Sequence, residues 1–217
     1  MEIVKFEKAS FKDQDHEILS DISFSINEGD LVLLIGPSGS GKSTLLKLIN
    51  NLISLTKGRI LYRQRDIESY DPIKLRREIS YCLQTPILFG KTVKDNMDFV
   101  FNSRGLAYDA SRVREVMDCF EMDENYLDKE VINLSGGEKQ RLALVRSILM
   151  PPKVLLLDEV TSALDEANAS IVERGIKKLN DDGLTIIMIS HQVERQKKLA
   201  NRLIGLKDGK LDLEEEI

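Results

Sequence analysis

The chain has 217 residues and a mass of 24.6 kDa, the size of one large domain with room for a subdomain. With 42% hydrophobic and 31% charged residues, its composition excludes fibrous, low-complexity and intrinsically disordered classes. The apolar runs, such as 31–35 and 154–157, are far shorter than the roughly 18–20 residues of a membrane-spanning helix. The first residues also lack a signal-peptide core, so we expect a cytosolic chain.

The charge balance and the cysteine count exclude further classes of protein. Lysine and arginine total 31 against 36 acidic residues, which gives a net charge of −5 and a pI near 5.3. Such a chain has no broad basic surface for phosphates, so we expect no nucleic-acid partner. Cys82 and Cys119 are isolated and the chain has only 2 histidines, which argues against zinc sites and disulfide frameworks. Both cysteines are expected to be reduced packing residues.

The first quarter of the chain predicts strands that lead directly into a helix. Residues 3–6, 18–26 and 31–35 are β-branched or alternate between apolar and polar side chains, with a turn-like segment between the last two. We expect an antiparallel start followed by a buried central strand. Residues 42–52 then place leucine and isoleucine at helical spacing, which predicts an amphipathic helix.

The remaining strands are short and apolar, and helical segments separate the later ones. They are predicted at 59–62, 79–83, 154–157, 185–189 and 203–206. This alternation of strand and helix is typical of a parallel α/β sheet.

One region interrupts the alternation with helices alone. Between about 85 and 150, helical periodicity is found at 93–101, 111–120 and 135–149, and no convincing strand is present. We interpret this region as a helical subdomain inserted into a catalytic core of about 1–84 and 151–217. The whole chain, 1–217, then forms a single domain.

A glycine-rich motif lies between the third predicted strand and the first predicted helix, and it matches G-x-x-x-x-G-K-[ST]. In this context the motif is a P-loop, whose backbone N–H groups and helix N-terminus face phosphate oxygens. Lys42 would reach the β- and γ-phosphates, and Ser43 would bind Mg²⁺. The predicted phosphate-binding residues are Gly36, Pro37, Ser38, Gly39, Ser40, Gly41, Lys42, Ser43 and Thr44.

Two acidic residues end the predicted buried strand at 154–157. Asp158 is placed to hold Mg²⁺ through water, as the Walker B carboxylate does beside a P-loop. Glu159 is placed to polarise the attacking water as a general base. These motifs predict a P-loop protein that binds a nucleotide with Mg²⁺, and they leave kinases, GTPases and motor ATPases open.

A Leu-Ser-Gly-Gly-Glu sequence distinguishes among these classes of P-loop protein. Its serine, Ser135, lies 23 positions before Asp158. Ser135 and Glu138 predict a capping box, and a helix N-terminus of this kind is also an anion site. A cap alone does not explain Gly136 and Gly137. With these motifs the chain resembles the ABC-type ATPases across essentially its whole length. That resemblance implies a P-loop NTPase fold with a RecA-like parallel-sheet core, an antiparallel β subdomain and an inserted helical subdomain.

The resemblance also implies that each nucleotide site is shared between two copies of the chain. In the family, the motif that matches Ser135, Gly136 and Gly137 binds the γ-phosphate of the ATP held by the opposite subunit. We therefore expect an ATP-dependent, head-to-tail homodimer.

Other family elements follow in the expected order. The resemblance implies that Gln84 links Mg²⁺ and the attacking water to the membrane partner and that His191 contacts the γ-phosphate. Asp165 matches the loop that crosses the dimer interface. Phe11 matches the aromatic residue that stacks on adenine, although the family usually has tyrosine there. Glu138 likewise stands where glutamine is common.

Within the family, segments 81–90 and 155–166 resemble the bacterial Fet-type ATPases associated with iron export. This implies the ATP-hydrolysing subunit of a transporter, bound to a polytopic membrane permease on the cytoplasmic face of the cell membrane. Apolar residues at 86–89 are the expected docking loop. The alternative is a soluble ABC-type nucleotide switch that takes no part in transport. The single P-loop and the 116 positions between Lys42 and Asp158 argue against its translation and chromosome types.

Overall fold

The computed structural model describes all 217 residues, which form two β-sheets and seven α-helices. The ten strands are β1 (Glu2–Asp13), β2 (His16–Asn27), β3 (Leu31–Ile35), β4 (Lys57–Tyr62), β5 (Arg65–Asp66), β6 (Ile79–Cys82), β7 (Val154–Asp158), β8 (Thr185–Ile189), β9 (Arg202–Lys207) and β10 (Lys210–Glu216). The helices are α1 (Lys42–Ile49), α2 (Pro72–Glu78), α3 (Val93–Asn102), α4 (Ala110–Asp118), α5 (Gly136–Ile148), α6 (Glu166–Asp181) and α7 (Val193–Gln196).

The larger sheet has six strands in the order β10-β9-β3-β8-β7-β6. All neighbours in it are parallel except β9 and β10, which form an antiparallel pair at one edge. Every residue of β7 and β8 is buried, as expected for strands covered on both faces. The parallel α/β core predicted from the sequence is confirmed.

The smaller sheet is antiparallel and has the order β2-β1-β4-β5. Residues 59–62 belong to this sheet, so the prediction that they join the parallel sheet is wrong. They pair with β1, with Val4 opposite Tyr62. The sequence pattern shows an apolar strand but does not specify its partner, because partner choice depends on contacts distant in the chain.

The hydrophobic core lies on both faces of the larger sheet. Successive side chains of a strand point to opposite faces, so Leu31 and Leu33 join one buried cluster while Val32 and Leu34 join the other. The first cluster has 27 buried residues and runs without interruption from the sheet into α3, α4 and α5. The helical region therefore shares its core with the sheet.

The helices between 93 and 149 begin and end within a few residues of their predicted positions, and the capping box of α5 is present. The first helix, however, ends at Ile49 and not at residue 52. Asn51 adopts a left-handed φ of 49° and Leu52 is 46% exposed, so the last apolar residue does not continue the helix. Helix α2 was not predicted, although Asp71 and Pro72 form a regular helix start.

Both cysteines are free thiols, and burial raises the pKa of Cys82 to about 11. None of the helices has both the length and the apolar character that crossing a bilayer requires.

Candidate functional site

A cavity of about 590 Å³ opens beside the loop that joins β3 to α1. It lies at the carboxyl ends of the parallel strands, where open α/β sheets bind their ligands. Its walls come from the P-loop, the start of β2, the ends of β7 and β8, and the β9–β10 turn. The lining residues are His16, Glu17, Ile18, Ser38, Gly39, Gly41, Lys42, Ser43, Thr44, Glu159, His191, Asp208 and Gly209.

The backbone of the P-loop adopts conformations that favour glycine. Gly36, Gly39 and Gly41 have φ values of 143°, 80° and 98°. A Cβ on Gly36 would also lie 2.1 Å from the Leu206 carbonyl oxygen, so this position excludes any side chain. Helix α1 begins after Gly41 without a side-chain cap, so its first N–H groups remain available to an anion.

The ammonium group of Lys42 lies inside the loop. It donates to the carbonyl oxygens of Gly36 at 2.9 Å and Pro37 at 2.8 Å and lies 3.4 Å from the Ser40 hydroxyl. Burial lowers the pKa of Lys42, and the carboxylates of Glu159 and Asp158 oppose that shift. The loop thus positions a cation beside the free N–H groups of α1, which is the arrangement that a polyphosphate requires.

The carboxylate of Asp158 is held between two hydroxyl groups. Ser43 Oγ donates to Asp158 Oδ1 at 3.0 Å, and the Tyr81 hydroxyl donates to Oδ2 at 2.7 Å. Burial, followed by the hydrogen bond to Asp158, raises the pKa of Tyr81, so its hydroxyl remains a donor. Asp158 is itself buried, with 8% of its surface exposed.

The donor atoms of Ser43 and Asp158 fit Mg²⁺. No group of three or more histidine, cysteine, aspartate or glutamate side chains could hold a metal ion by itself. Mg²⁺ prefers oxygen ligands and is commonly bound through one or two carboxylates together with phosphate oxygens and water. A serine hydroxyl can donate its proton to Asp158 and direct a lone pair to a metal. The pair is therefore suited to Mg²⁺ that arrives with a nucleotide.

Two residues predicted from distant parts of the sequence, Gln84 and His191, contact the carboxylate of Glu159. Gln84 Nε2 donates to Glu159 Oε2 at 2.9 Å, and His191 Nε2 lies 2.7 Å from Oε1. Glu159 adopts a left-handed φ of 52°, a conformation that costs a non-glycine residue about 1 kcal/mol or more. The Ser162 hydroxyl donates to the Glu159 carbonyl and stabilises this turn. The carboxylate is thereby directed toward the cavity that the P-loop lines.

The Ser-Gly-Gly motif forms the N-terminus of α5 and lies outside the P-loop cavity of its own chain. Ser135 Oγ accepts from the Glu138 N–H at 3.2 Å, and Glu138 Oε2 accepts from the Ser135 N–H at 2.7 Å. This backbone hydrogen bond lowers the pKa of Glu138. A Cβ on Gly137 would lie 2.6 Å from the Asn168 side chain, so close packing accounts for glycine at this position. Gly136, in contrast, has open space around it.

Two other predicted residues also lie away from this cavity. Asp165 caps α6 by accepting from the Asn168 N–H at 2.8 Å, and that hydrogen bond lowers the pKa of its carboxyl. Phe11 lies on β1, half-buried against the core, and does not line the cavity. Stacking of Phe11 on adenine and binding of nucleotide by Asp165 remain predictions.

Sequence reasoning missed several residues of the site. His16, Asp208 and Gly209 line the cavity from two turns that the fold brings beside the P-loop. Gly209 is held there because its carbonyl accepts from the Ser20 N–H at 2.8 Å. Tyr81 belongs to the segment 81–90 that resembles the Fet-type ATPases, but no role was predicted for it. No local pattern in the sequence indicates these contacts, since each depends on pairing between distant segments.

In the predicted docking loop, Ile87 is 53% exposed and Phe89 is 39% exposed. Pro86 and Leu88 are half-buried, and Leu88 packs against the core cluster, so docking of a partner at this loop remains a prediction. The rings of Phe89 and Phe99 pack in a tilted arrangement with centroids 4.6 Å apart, and the Arg146 guanidinium lies over the Phe89 ring.

Comparison with known proteins agrees with this geometry. A family model described as ABC transporter matches residues 19–162, about two thirds of the chain. The chain belongs to the ABC transporter family. It is thus an ATP-binding and ATP-hydrolysing subunit of the ABC type, and the ABC-type P-loop NTPase fold expected from the sequence is confirmed.

Individual relatives cover nearly the whole chain. The probable iron export ATP-binding protein FetA of Escherichia coli strain K12 is 40% identical over 190 residues, which are 87% of this chain and 84% of that protein. The structure of cbiO1 from Clostridium perfringens, part of the cbiONQ complex, matches with a TM-score of 0.88 and 28% identity over 99% of this chain and 88% of that one. The ATP-binding cassette MJ0796, solved as a dimer with ADP and Pi, matches with a TM-score of 0.87 and 28% identity over 99% and 98%.

Proposed function

We propose that this ABC ATPase hydrolyses ATP at the cavity beside the P-loop, with Glu159 as the general base that orients and deprotonates the attacking water. The observation that carries this proposal is the convergence of Gln84 and His191 on the two oxygens of one carboxylate. A carboxylate held in this way can accept a proton from water without first reorienting.

The remaining roles follow from the contacts around the loop. Lys42 and the free N–H groups of α1 would bind the β- and γ-phosphates. Ser43 and Asp158, together with Gln84, would hold Mg²⁺, which would supply positive charge beside the phosphate oxygens. The His191 side chain, which is 52% exposed beside Glu159, would contact the γ-phosphate.

The site is completed, in this proposal, by a second copy of the chain in head-to-tail orientation. Ser135, Gly136 and Gly137 begin a helix of 13 residues whose N-terminus is an anion site, yet they lie outside the cavity of their own chain. A partner copy could present them to the γ-phosphate, with Asp165 in the loop between the two copies. The structure of MJ0796 as a dimer with ADP and Pi supports the pairing of two copies.

We further propose a functional division of the single domain. The region of about 85–150 would act as a helical subdomain that connects the catalytic core of about 1–84 and 151–217 to a membrane partner. Gln84 immediately precedes this region and donates a hydrogen bond to Glu159, which supports a link between docking and hydrolysis.

The partner we propose is a polytopic membrane permease that holds the dimer on the cytoplasmic face of the cell membrane. Ile87 and Phe89 would contact it, because they leave apolar surface exposed on a loop. Iron, or another metal ion, is the proposed cargo, and the likeness to FetA supports it. In this proposal the cargo passes through the permease.

The test is to identify the membrane protein that co-purifies with the chain, to express the two together and to measure ATP-dependent iron efflux from loaded cells. Efflux should depend on both proteins and should stop with Lys42→Ala. Lys47→Ala is the control, because Lys47 is an exposed lysine on the same helix. Efflux of a different metal would assign that metal as the cargo. An ATPase rate that does not depend on the membrane protein would contradict the transport role.

A further inference from the structure

Tyr81 makes a contact that the proposed mechanism does not use. Its hydroxyl donates to Asp158 Oδ2 at 2.7 Å, while Ser43 donates to Oδ1 at 3.0 Å. Each oxygen of the proposed metal-binding carboxylate therefore has its own hydroxyl donor, one from helix α1 and one from strand β6. Rotation of the carboxylate would break at least one of these hydrogen bonds.

The parallel pairing of β6 and β7 explains why the two side chains meet. Tyr81 lies opposite Leu156, two residues before Asp158. Since side chains alternate along a strand, Leu156 and Asp158 project from the same face of the sheet. Leu156 belongs to the buried cluster that also includes α1 residues, and the Tyr81 ring packs against that cluster. The phenol thus extends along the face on which Ser43 lies, and its ring is held by the core.

We propose that Tyr81 is a positioning residue that holds Asp158 in the orientation in which, with Ser43, it binds Mg²⁺. The inference rests on the proposed metal role of Asp158. Partners that orient a metal-binding side chain commonly change metal affinity by about 10- to 100-fold when they are removed. Replacement of one hydroxyl should therefore weaken divalent-cation binding without altering the phosphate contacts of the P-loop.

The variant Tyr81→Phe removes only the hydroxyl and keeps the ring. Its matched control is Tyr62→Phe, because Tyr62 also donates at 2.7 Å to a carboxylate, that of Glu78, from a strand away from the cavity. Both variants lose a hydrogen bond of the same kind. A purely structural role for Tyr81 would therefore give the two the same phenotype.

The measurement is Mn²⁺ affinity by electron paramagnetic resonance, with the non-hydrolysable analogue AMP-PNP bound to the full chain. We expect Tyr81→Phe to weaken Mn²⁺ binding by about 10-fold or more and Tyr62→Phe to leave it unchanged. AMP-PNP affinity in EDTA should be the same for all three proteins. Mn²⁺ affinity equal to wild type in Tyr81→Phe, or an equal loss in both variants, would overturn the proposal.

A double variant shows whether Tyr81 acts through Asp158. In an Asp158→Asn background, Tyr81→Phe should cause no further loss of Mn²⁺ affinity, because the carboxylate that it positions is gone. A further loss would mean that Tyr81 acts by another route and would refute the inference. If Asp158→Asn alone leaves Mn²⁺ affinity unchanged, the proposed metal site itself is wrong. If Asp158→Asn weakens Mn²⁺ binding but Tyr81→Phe does not, the positioning role of Tyr81 is wrong and the metal role of Asp158 stands.

Discussion

Glu159→Gln should nearly stop ATP hydrolysis while leaving ATP binding intact. Glutamine has almost the same size and keeps one acceptor oxygen. In the native site Gln84 donates to the carboxylate at 2.9 Å and His191 Nε2 lies 2.7 Å from it. It cannot accept the proton of the attacking water. General-base catalysis contributes about 10²- to 10⁴-fold to rate, so the activation barrier should rise by roughly 3–5 kcal/mol.

The assay separates the two effects. Phosphate release at saturating Mg²⁺ and ATP measures hydrolysis, and binding of a fluorescent ATP analogue measures affinity. Glu166→Gln makes the same chemical change at an exposed position on α6 and should retain wild-type turnover. Near-wild-type hydrolysis by Glu159→Gln with ordinary Mg²⁺ dependence would refute the assignment and transfer the role to another group, such as His191.

Three further predictions concern the loop and the helix cap. Lys42→Ala should abolish tight ATP binding, because a polyphosphate would lose its charge-assisted contact. A binding titration with Lys47→Ala as the control measures this loss, and undiminished affinity would contradict phosphate binding by Lys42. Gly36→Ala should lower the thermal midpoint much more than Gly39→Ala, since both have positive φ but only the Cβ at 36 meets a backbone oxygen, 2.1 Å away; equal shifts would show that the clash is relieved. Glu138 has a folded-state pKa below its ordinary value of 4.5, so the stability that it contributes is present above that pH and is lost as pH falls through the folded pKa. Glu138→Gln should therefore be less stable than wild type to urea at neutral pH and equal to it in strong acid, and a difference that persists in acid would exclude this origin.

The parts of the site that lie on continuous motifs could be predicted from sequence, because their chemistry is local. The P-loop needs glycine, lysine and serine at fixed spacing, and the capping box of α5 needs Ser135 and Glu138 three residues apart. The meeting of Gln84, Glu159 and His191 could be expected only through the family resemblance. Its geometry requires the parallel order of β6, β7 and β8.

The features of the structure that could not be predicted depend on pairing between distant segments or on a left-handed backbone conformation. Residues 59–62 have a strand pattern but join the antiparallel sheet, because their partner β1 lies more than 50 residues earlier in the chain. Tyr81 reaches Asp158 across two strands that are separated by the whole helical region. The left-handed turn at Asn51 ended α1 early despite apolar residues at helical spacing beyond it.

Sedimentation tests most directly whether a second copy of the chain completes the ATP site with its Ser135 motif. Glu159→Gln loaded with ATP and Mg²⁺ should sediment as a dimer, and as a monomer without nucleotide. Addition of Ser135→Arg to that variant should abolish the dimer, whereas Ser111→Arg, the same change on an exposed face of α4, should not. A normal ATP-dependent dimer in the Ser135→Arg variant would contradict the shared site.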